Sequence, residues 1–165
     1  MARNVFFSFH FDNDYWRTQT VRNIGSIDGQ SFCNKNKWEE IKQEGAAAIE
    51  KWIDENMTGK SCVVVLVGSQ TSERKWVQKE ISKGWNKNKG VVAIRIHKLL
   101  DSDGKAGSFG SNPLDEVSLT SSGKKLSSVA KIYNPSGSTS KEVYKSIADN
   151  IEDWIEEAIK IRGEN

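Results

Sequence analysis

Glu80 follows Trp76 by four residues in the stretch Ser61 to Glu80, SCVVVLVGSQTSERKWVQKE, a spacing that stacks the two side chains on one face of a helix. A carboxylate beside an aromatic wall can work on a bound ligand. The same pair is also what a core anchor followed by a solvated acid would look like, and helix patterning alone favours that plainer reading. Position shifts the balance modestly. Cys62 to Val67 is an unbroken run of apolar residues that ends at Gly68 and passes through Ser69, Gln70, Thr71 and Ser72 into a helical pattern beginning near Glu73. A strand apolar on both faces belongs in a parallel sheet covered by helices, and ligands of such sheets bind where the carboxyl ends of the strands open into loops. Glu80 is expected near that edge as a partly exposed residue, with Val77, Ile81 and Trp85 packing on the sheet.

Other chemistries find little support. Two histidines far apart and two cysteines at no ligand spacing leave only carboxylates for a metal, so no metal site is expected. Asp101-Ser-Asp103-Gly104 resembles the start of a calcium loop, but its glycine and closing glutamate are misplaced, and a turn is the better reading. Ser8-Phe9-His10-Phe11 stands where a glycine-rich phosphate loop would follow the first strand, which argues against conventional dinucleotide binding on a glycine turn. Gly68-Ser69-Gln70 lacks the pattern of a nucleophile elbow.

The elements that must position Glu80 follow in order. Val5 to Phe9 is a short apolar strand, which puts Ser8 and His10 at a carboxyl end. Tyr15 to Asn23 is weakly periodic helix, Ile24 to Asn36 is mostly loop, and Ser26 to Phe32 has room for a short strand. Asn36 and Glu39 have capping-box spacing, and Trp38, Ile41, Gly45, Ala48, Ile49, Trp52 and Ile53 then recur at helical spacing as far as Gly59. Val91 to Ile96 is a further strand, ending at His97. Lys98 to Ser128 is rich in Gly, Ser and Asp with few apolar anchors, so it reads as a long mobile loop. Val129 to Tyr133 is the last strand; Thr139 and Glu142 form a capping box for a final helix whose stripe is Val143, Ile147, Ile151, Trp154, Ile155 and Ala158. Alternating strands and helices mark right-handed βαβ units.

The 165 residues suit one domain, residues 1–165, and a net charge of +2 is too balanced for a dedicated nucleic-acid binder. Lys and Arg dominate Arg74 to Lys105 and acids dominate Glu142 to Glu164, a distribution typical of solvated helix faces. Cys33 and Cys62 build no disulfide framework, and no apolar run approaches the roughly 18 residues of a membrane span. A reducing, cytoplasmic setting without membrane partners is expected.

VFFSFHFDND, Val5 to Asp14, resembles the first strand and loop of a TIR domain, and VVVLVGSQTSERKWVQKEI, Val63 to Ile81, resembles its third strand, loop and helix with the serine, tryptophan, glutamate signature. The chain is most similar to the TIR-like family of bacterial Thoeris anti-phage defence, through Phe7 to His10, Val21 to Asn23, Glu50 to Met57, Ser61 to Gly68, Trp76 to Ile81, Ile94 to His97 and Asn112-Pro113. That resemblance implies an α/β, flavodoxin-like three-layer sandwich with a five-stranded parallel sheet in the order 2-1-3-4-5. It also implies an NAD+ hydrolase or cyclase producing a cyclic ADP-ribose-type signal for a separate effector protein, with assembly into a homo-oligomer on activation.

By position, Glu80 matches the catalytic glutamate of enzymatic TIR domains; topology turns Ser8, His10 and Ser69 toward the crevice, and with Phe6 and Trp76 they form the expected substrate-binding set. NAD+ enters as substrate, with no cofactor. Nicotinamide departs neutral from a cationic pyridinium, so a general acid is dispensable and one carboxylate can steady the ribosyl cation. Large aromatics at helical spacing mostly brace, which favours packing for Trp76; His10 divides between substrate contact and a structural hydrogen bond, and His97 reads as structural. Two other readings stand beside this one: a TIR-like interaction module without catalysis, and a nucleoside deoxyribosyltransferase-like enzyme.

Overall fold

A computed structural model of the chain describes residues 3–24, 27–29 and 35–165. Cys33 and most of the window Ser26 to Phe32 lie outside the described residues. The architecture is α/β with a parallel sheet, consistent with a flavodoxin-like fold. In chain order, β1 is Arg3–Ser8, α1 Phe11–Arg22, β2 Ile27–Gly29, α2 Lys35–Gln43, α3 Ala46–Met57, β3 Cys62–Val67, α4 Lys75–Asn86, β4 Gly90–Arg95, β5 Ile132–Tyr133 and α5 Ser140–Glu164. Hydrogen-bonded neighbours across the sheet run β2-β1-β3-β4-β5.

β3 is buried along its whole length because both faces are covered, as its uninterrupted apolar sequence requires. It pairs with β1 from Val5↔Cys62 to Ser8↔Val65 and with β4 from Cys62↔Gly90 to Val67↔Arg95. Alternate residues feed two cores. Phe7, Val64, Leu66, Val92 and Ile94 meet α1 and the α5 stripe Val143, Ile147, Ile151, Ile155 and Ala158; Phe6, Val63, Val65, Val67 and Val91 meet Ile49, Ile53 and Met57 of α3 and Val77, Ile81 and Trp85 of α4. Trp154, the remaining member of the α5 stripe, is half-buried and stacks on Tyr133 with centroids 4.6 Å apart. Thr139 and Glu142 form the reciprocal capping box of α5, an arrangement worth about 1 kcal/mol.

Several expectations need correction. The helix expected to run on to Gly59 is two helices, divided at Glu44 and Gly45; Gly45 has φ +99, a left-handed backbone conformation open to glycine, so the residue counted as one helical position instead ends the register. Asn36 lies inside α2 and is not its cap. α1 begins four residues before Tyr15. Its periodicity is weak because its buried face carries Asp14, Arg17 and Thr18 beside Val21. Arg17 bonds Asp14 Oδ1 at 3.0 Å and donates to the Leu99 carbonyl at 2.8 Å and the Lys105 carbonyl at 3.0 Å, tying α1 to the chain beyond β4. Those hydrogen bonds satisfy the buried Arg17 guanidinium, whereas Asp14 Oδ2 has no hydrogen-bond partner among the described residues and burial raises the Asp14 pKa.

The segment from Lys98 to Ser128 is better anchored than its composition suggests. Leu99, Leu114 and Leu126 are fully buried, short 3-10 turns form at Pro113–Glu116 and Leu126–Ser128, and Ser118 bridges Lys125. Asp101 Oδ1 accepts from the backbone N–H groups of Asp103 and Lys105, closing the expected turn. Among the described residues no helix is long and apolar enough to cross a membrane, and no three His, Cys, Asp or Glu side chains group as metal ligands.

Candidate functional site

α4 is preceded by a 3-10 turn, Thr71–Glu73, in which the Thr71 hydroxyl accepts from the Gly68 N–H at 2.8 Å. A Cβ at Gly68 would lie 2.1 Å from Asp14 Oδ2, so the glycine lets the β3 exit pass tightly under α1. From there α4 seats Val77, Ile81 and Trp85 on the sheet and turns Glu80 toward the end of β1. The Ser8 hydroxyl donates to Glu80 Oε1 at 2.7 Å.

Glu80 is 7% exposed, not partly exposed as the helix pattern suggests. Burial disfavours its charged form and pushes its pKa up to about 8, partly offset by the Ser8 hydrogen bond, which favours the carboxylate. At neutral pH the resting side chain is therefore mostly a neutral acid. It opens into a cavity of about 190 Å³ at the carboxyl end of β1. Phe9, Phe11, Trp52 and Trp76 supply aromatic walls, and Asp12, Lys42 and Arg74 bring charge to the lining. Lys79 sits 5.5 Å from the centroid of the Trp76 ring and pairs with Glu50 of α3, which fixes the tryptophan from outside.

Of the sequence-derived residues, Glu80, His10 and Trp76 line this cavity together. Ser8 is fully buried behind the acid and reaches the site through Glu80. Phe6 is fully buried on the α3 side, where it meets Trp52 edge-on with centroids 6.3 Å apart and supports a wall. Ser69 is absent from the lining and accepts a long 3.4 Å hydrogen bond from Asn13. His10 Nδ1 is buried without a hydrogen-bond partner among the described residues, and desolvation, then the Arg74 charge, lowers the histidine's pKa.

Sequence reasoning missed Trp52, Phe9, Phe11, Lys42 and Arg74. Trp52 had been absorbed into a core stripe, and Lys42 comes within reach because the chain breaks after α2. The alternation Phe7, Phe9, Phe11 running past the strand end was a usable signal for the aromatic walls. Chemically, the site offers an acid that can ionise beside a cation, aromatic faces that attract cations, and two basic side chains for anionic groups.

A family model described as "Thoeris protein ThsB, TIR-like domain" matches residues 6–101, a span that contains every residue lining the Glu80 cavity. A Bacillus cereus (strain MSX-D12) protein named "Putative cyclic ADP-D-ribose synthase ThsB1" is 31% identical over 160 residues, covering 90% of this chain and 78% of the relative. With β1, β3 and α4 carrying the matched motifs and converging on one buried acid, the chain belongs to the TIR-like domain family of the Thoeris protein ThsB.

Proposed function

We propose that this protein cleaves NAD+ at the nicotinamide–ribose bond and closes the ADP-ribosyl fragment into a cyclic ADP-ribose-type nucleotide. The observation that carries the reading is Glu80: a buried acid, hydrogen-bonded by Ser8, at the end of an aromatic-walled cavity. The name of the Bacillus cereus relative supports the choice of substrate and product.

In this reading the pyridinium ring of NAD+ enters between the aromatic walls. Its positive charge favours the ionised form of the neighbouring carboxyl group, and Glu80 releases its proton to solvent as the ring enters. The bond from ribose C1′ to the nicotinamide nitrogen then breaks with its electron pair passing to nicotinamide, which leaves neutral. The Glu80 carboxylate steadies the ribosyl cation. A nucleophilic atom of the same ADP-ribosyl fragment forms the new bond to C1′ and loses any proton it carries to solvent, while the aromatic walls keep water from capturing the cation. Lys42 and Arg74 face the diphosphate. A cavity of about 190 Å³ takes one end of a dinucleotide, so the rest is enclosed on activation by a neighbouring copy or by loop ordering.

The same proposal includes the finer architecture, a single-domain flavodoxin-like sandwich with five strands in the order 2-1-3-4-5. It includes cytoplasmic action, NAD+ as substrate with no bound cofactor, and a messenger that reaches a separate effector in anti-phage defence. Phe6 and Ser69 keep supporting places beside the site. Mass spectrometry of nucleotides after incubating activated protein with NAD+ tests the reading: a product with the mass of cyclised ADP-ribose plus free nicotinamide is expected, and unchanged NAD+ would overturn it.

A further inference from the structure

A second cavity lies at the carboxyl ends of β4 and β5. It measures about 110 Å³, shares no lining residue with the Glu80 cavity, and is lined by Arg95, His97, Lys98, Phe109, Asn134 and neighbouring apolar groups. The chain from 107 to 111 crosses the sheet edge between the two. Gly107 N–H donates to the His97 carbonyl at 2.7 Å, Ser111 Oγ lies 3.3 Å from Ser72 Oγ, and a Cβ at Gly110 would come within 2.0 Å of the Gly68 oxygen.

Among the described residues, three basic side chains line this cavity and no carboxylate does. Arg95 is 8% exposed, and its guanidinium donates to the Gly110 carbonyl at 3.1 Å and to Asn134 Oδ1 at 2.7 Å while lying 4.0 Å from the centroid of the Phe109 ring. Those contacts fix its orientation without neutralising it. Asp115 is the acid whose charge reaches Arg95, and it makes no ion pair with it; its own Oδ1 accepts from Ser127. Lys98 donates to a backbone carbonyl, that of Gly137. His97 Nδ1 is buried and has no hydrogen-bond partner among the described residues, and the Lys98, Arg95 and Arg17 charges add to desolvation in lowering its pKa. A buried cation held in place by neutral partners, with an imidazole and a lysine lining the same cavity, is an arrangement that an anion would complement.

We propose that this cavity is a binding site for a phosphoryl group of a nucleotide, with Arg95, His97 and Lys98 as its ligands and Phe109 as the stacking surface for the attached base. Its volume suits a phosphoryl group rather than a whole nucleotide, since pockets enclosing drug-sized ligands begin at roughly 300 Å³. Phe109 is 65% exposed and held edge-on to His97, so a large ring stands at the lip where the rest of a nucleotide would emerge. The site stands independently of NAD+ cleavage.

The two histidines of the chain make the test direct, because each gives separate imidazole resonances in proton NMR. Inorganic pyrophosphate and ADP are titrated into the intact protein across pH 5.5 to 8.5, with a His97→Asn variant to assign the signals. Pyrophosphate is expected to raise the titration midpoint of His97, and ADP is expected to bind tighter, an advantage that Phe109→Ala removes. Arg95→Gln should weaken both at least about 10-fold, the lower range for a lost charge-assisted hydrogen bond. The exposed Lys98→Ala variant should weaken them less while preserving the fold. Adding NAD+ to Glu80→Gln protein identifies the source of the phosphoryl group: undisturbed pyrophosphate binding with no shift of His97 assigns it to a separate nucleotide, and an Arg95-dependent shift of His97 would place the dinucleotide's diphosphate here instead of at Lys42 and Arg74 and overturn the site's independence from NAD+ cleavage. Movement of His10 alone, or binding unchanged in both Arg95→Gln and Lys98→Ala, would overturn the site. Equal affinity for pyrophosphate and ADP in wild type would overturn its nucleotide specificity.

Discussion

The two cavities sit on the same carboxyl edge of one sheet and differ in the group each buries, an acid in the first and an arginine in the second. The first buries a carboxyl group among aromatic rings, with Ser8 as its hydrogen-bond donor and, among the described residues, no ion pair, so burial holds it neutral until a positive charge arrives. The second fixes an arginine among neutral acceptors beside a lysine and an unpartnered histidine nitrogen. Leaving a charged or ionisable group short of its partner costs stability, and both cavities accept that cost within a few strands of each other. The comparison teaches that this edge is divided by the ionisable group each cavity buries, Glu80 on one side of the 107–111 crossing and Arg95 on the other.

The strongest way to break the comparison is to remove the acid's ability to ionise. Glu80→Gln keeps the shape and should lower NAD+ cleavage at least about 100-fold, the range for removing one preorganised electrostatic group. NAD+ consumption by activated protein is the readout, and turnover at the wild-type rate would remove Glu80 from the chemistry.

The same variant should change stability in the other direction. The folded-state pKa of Glu80, about 8, lies above the ordinary 4.5, so the folded protein holds a proton that the unfolded chain has released. That contribution is fully present below about pH 4.5 and is lost as the pH rises to about 8, at roughly 1.4 kcal/mol per pH unit. Glu80→Gln escapes the loss. Its melting temperature should exceed that of wild type, with a gap that widens between pH 5 and 8; an equal or narrowing gap would contradict a buried, uncompensated acid.

Ser8→Ala sharpens the account further. Losing a hydrogen bond to a charged group costs roughly 1.5 to 3 kcal/mol, so cleavage at neutral pH should fall about 10-fold or more while the fold survives. Trp76→Phe keeps an aromatic face and should change kcat/KM by less than about 10-fold, chiefly through weaker attraction to the cation. An effect as large as that of Glu80→Gln would promote Trp76 from a wall to a working group.

How far the sequence carried the structure depended on where burial was apolar. β3, α4 and α5 were legible because their buried positions are aliphatic at strand or helix period, and Thr139 with Glu142 marked the α5 start. α1 was half hidden because Asp14, Arg17 and Thr18 occupy its buried face, and an ion pair leaves no hydrophobic period to read. The α2–α3 break was invisible because Gly45 fits a helical spacing, and only its left-handed backbone shows that it ends one. Glu80 itself was found by its distance from Trp76 and the end of β3. Its burial, its Ser8 partner and the convergence of Phe9, Phe11, Trp52, Lys42 and Arg74 needed the third dimension.

The central claim is that a buried acid of raised pKa must ionise to work, and the pH dependence of kcat/KM for NAD+ cleavage tests it most directly, because that profile reports groups of the free enzyme. Activity should rise with pH to a midpoint near 8, and Ser8→Ala should move that midpoint upward by removing the donor that favours the carboxylate. A profile flat from pH 5 to 9, or one whose rising limb is unmoved by Ser8→Ala, would contradict the account.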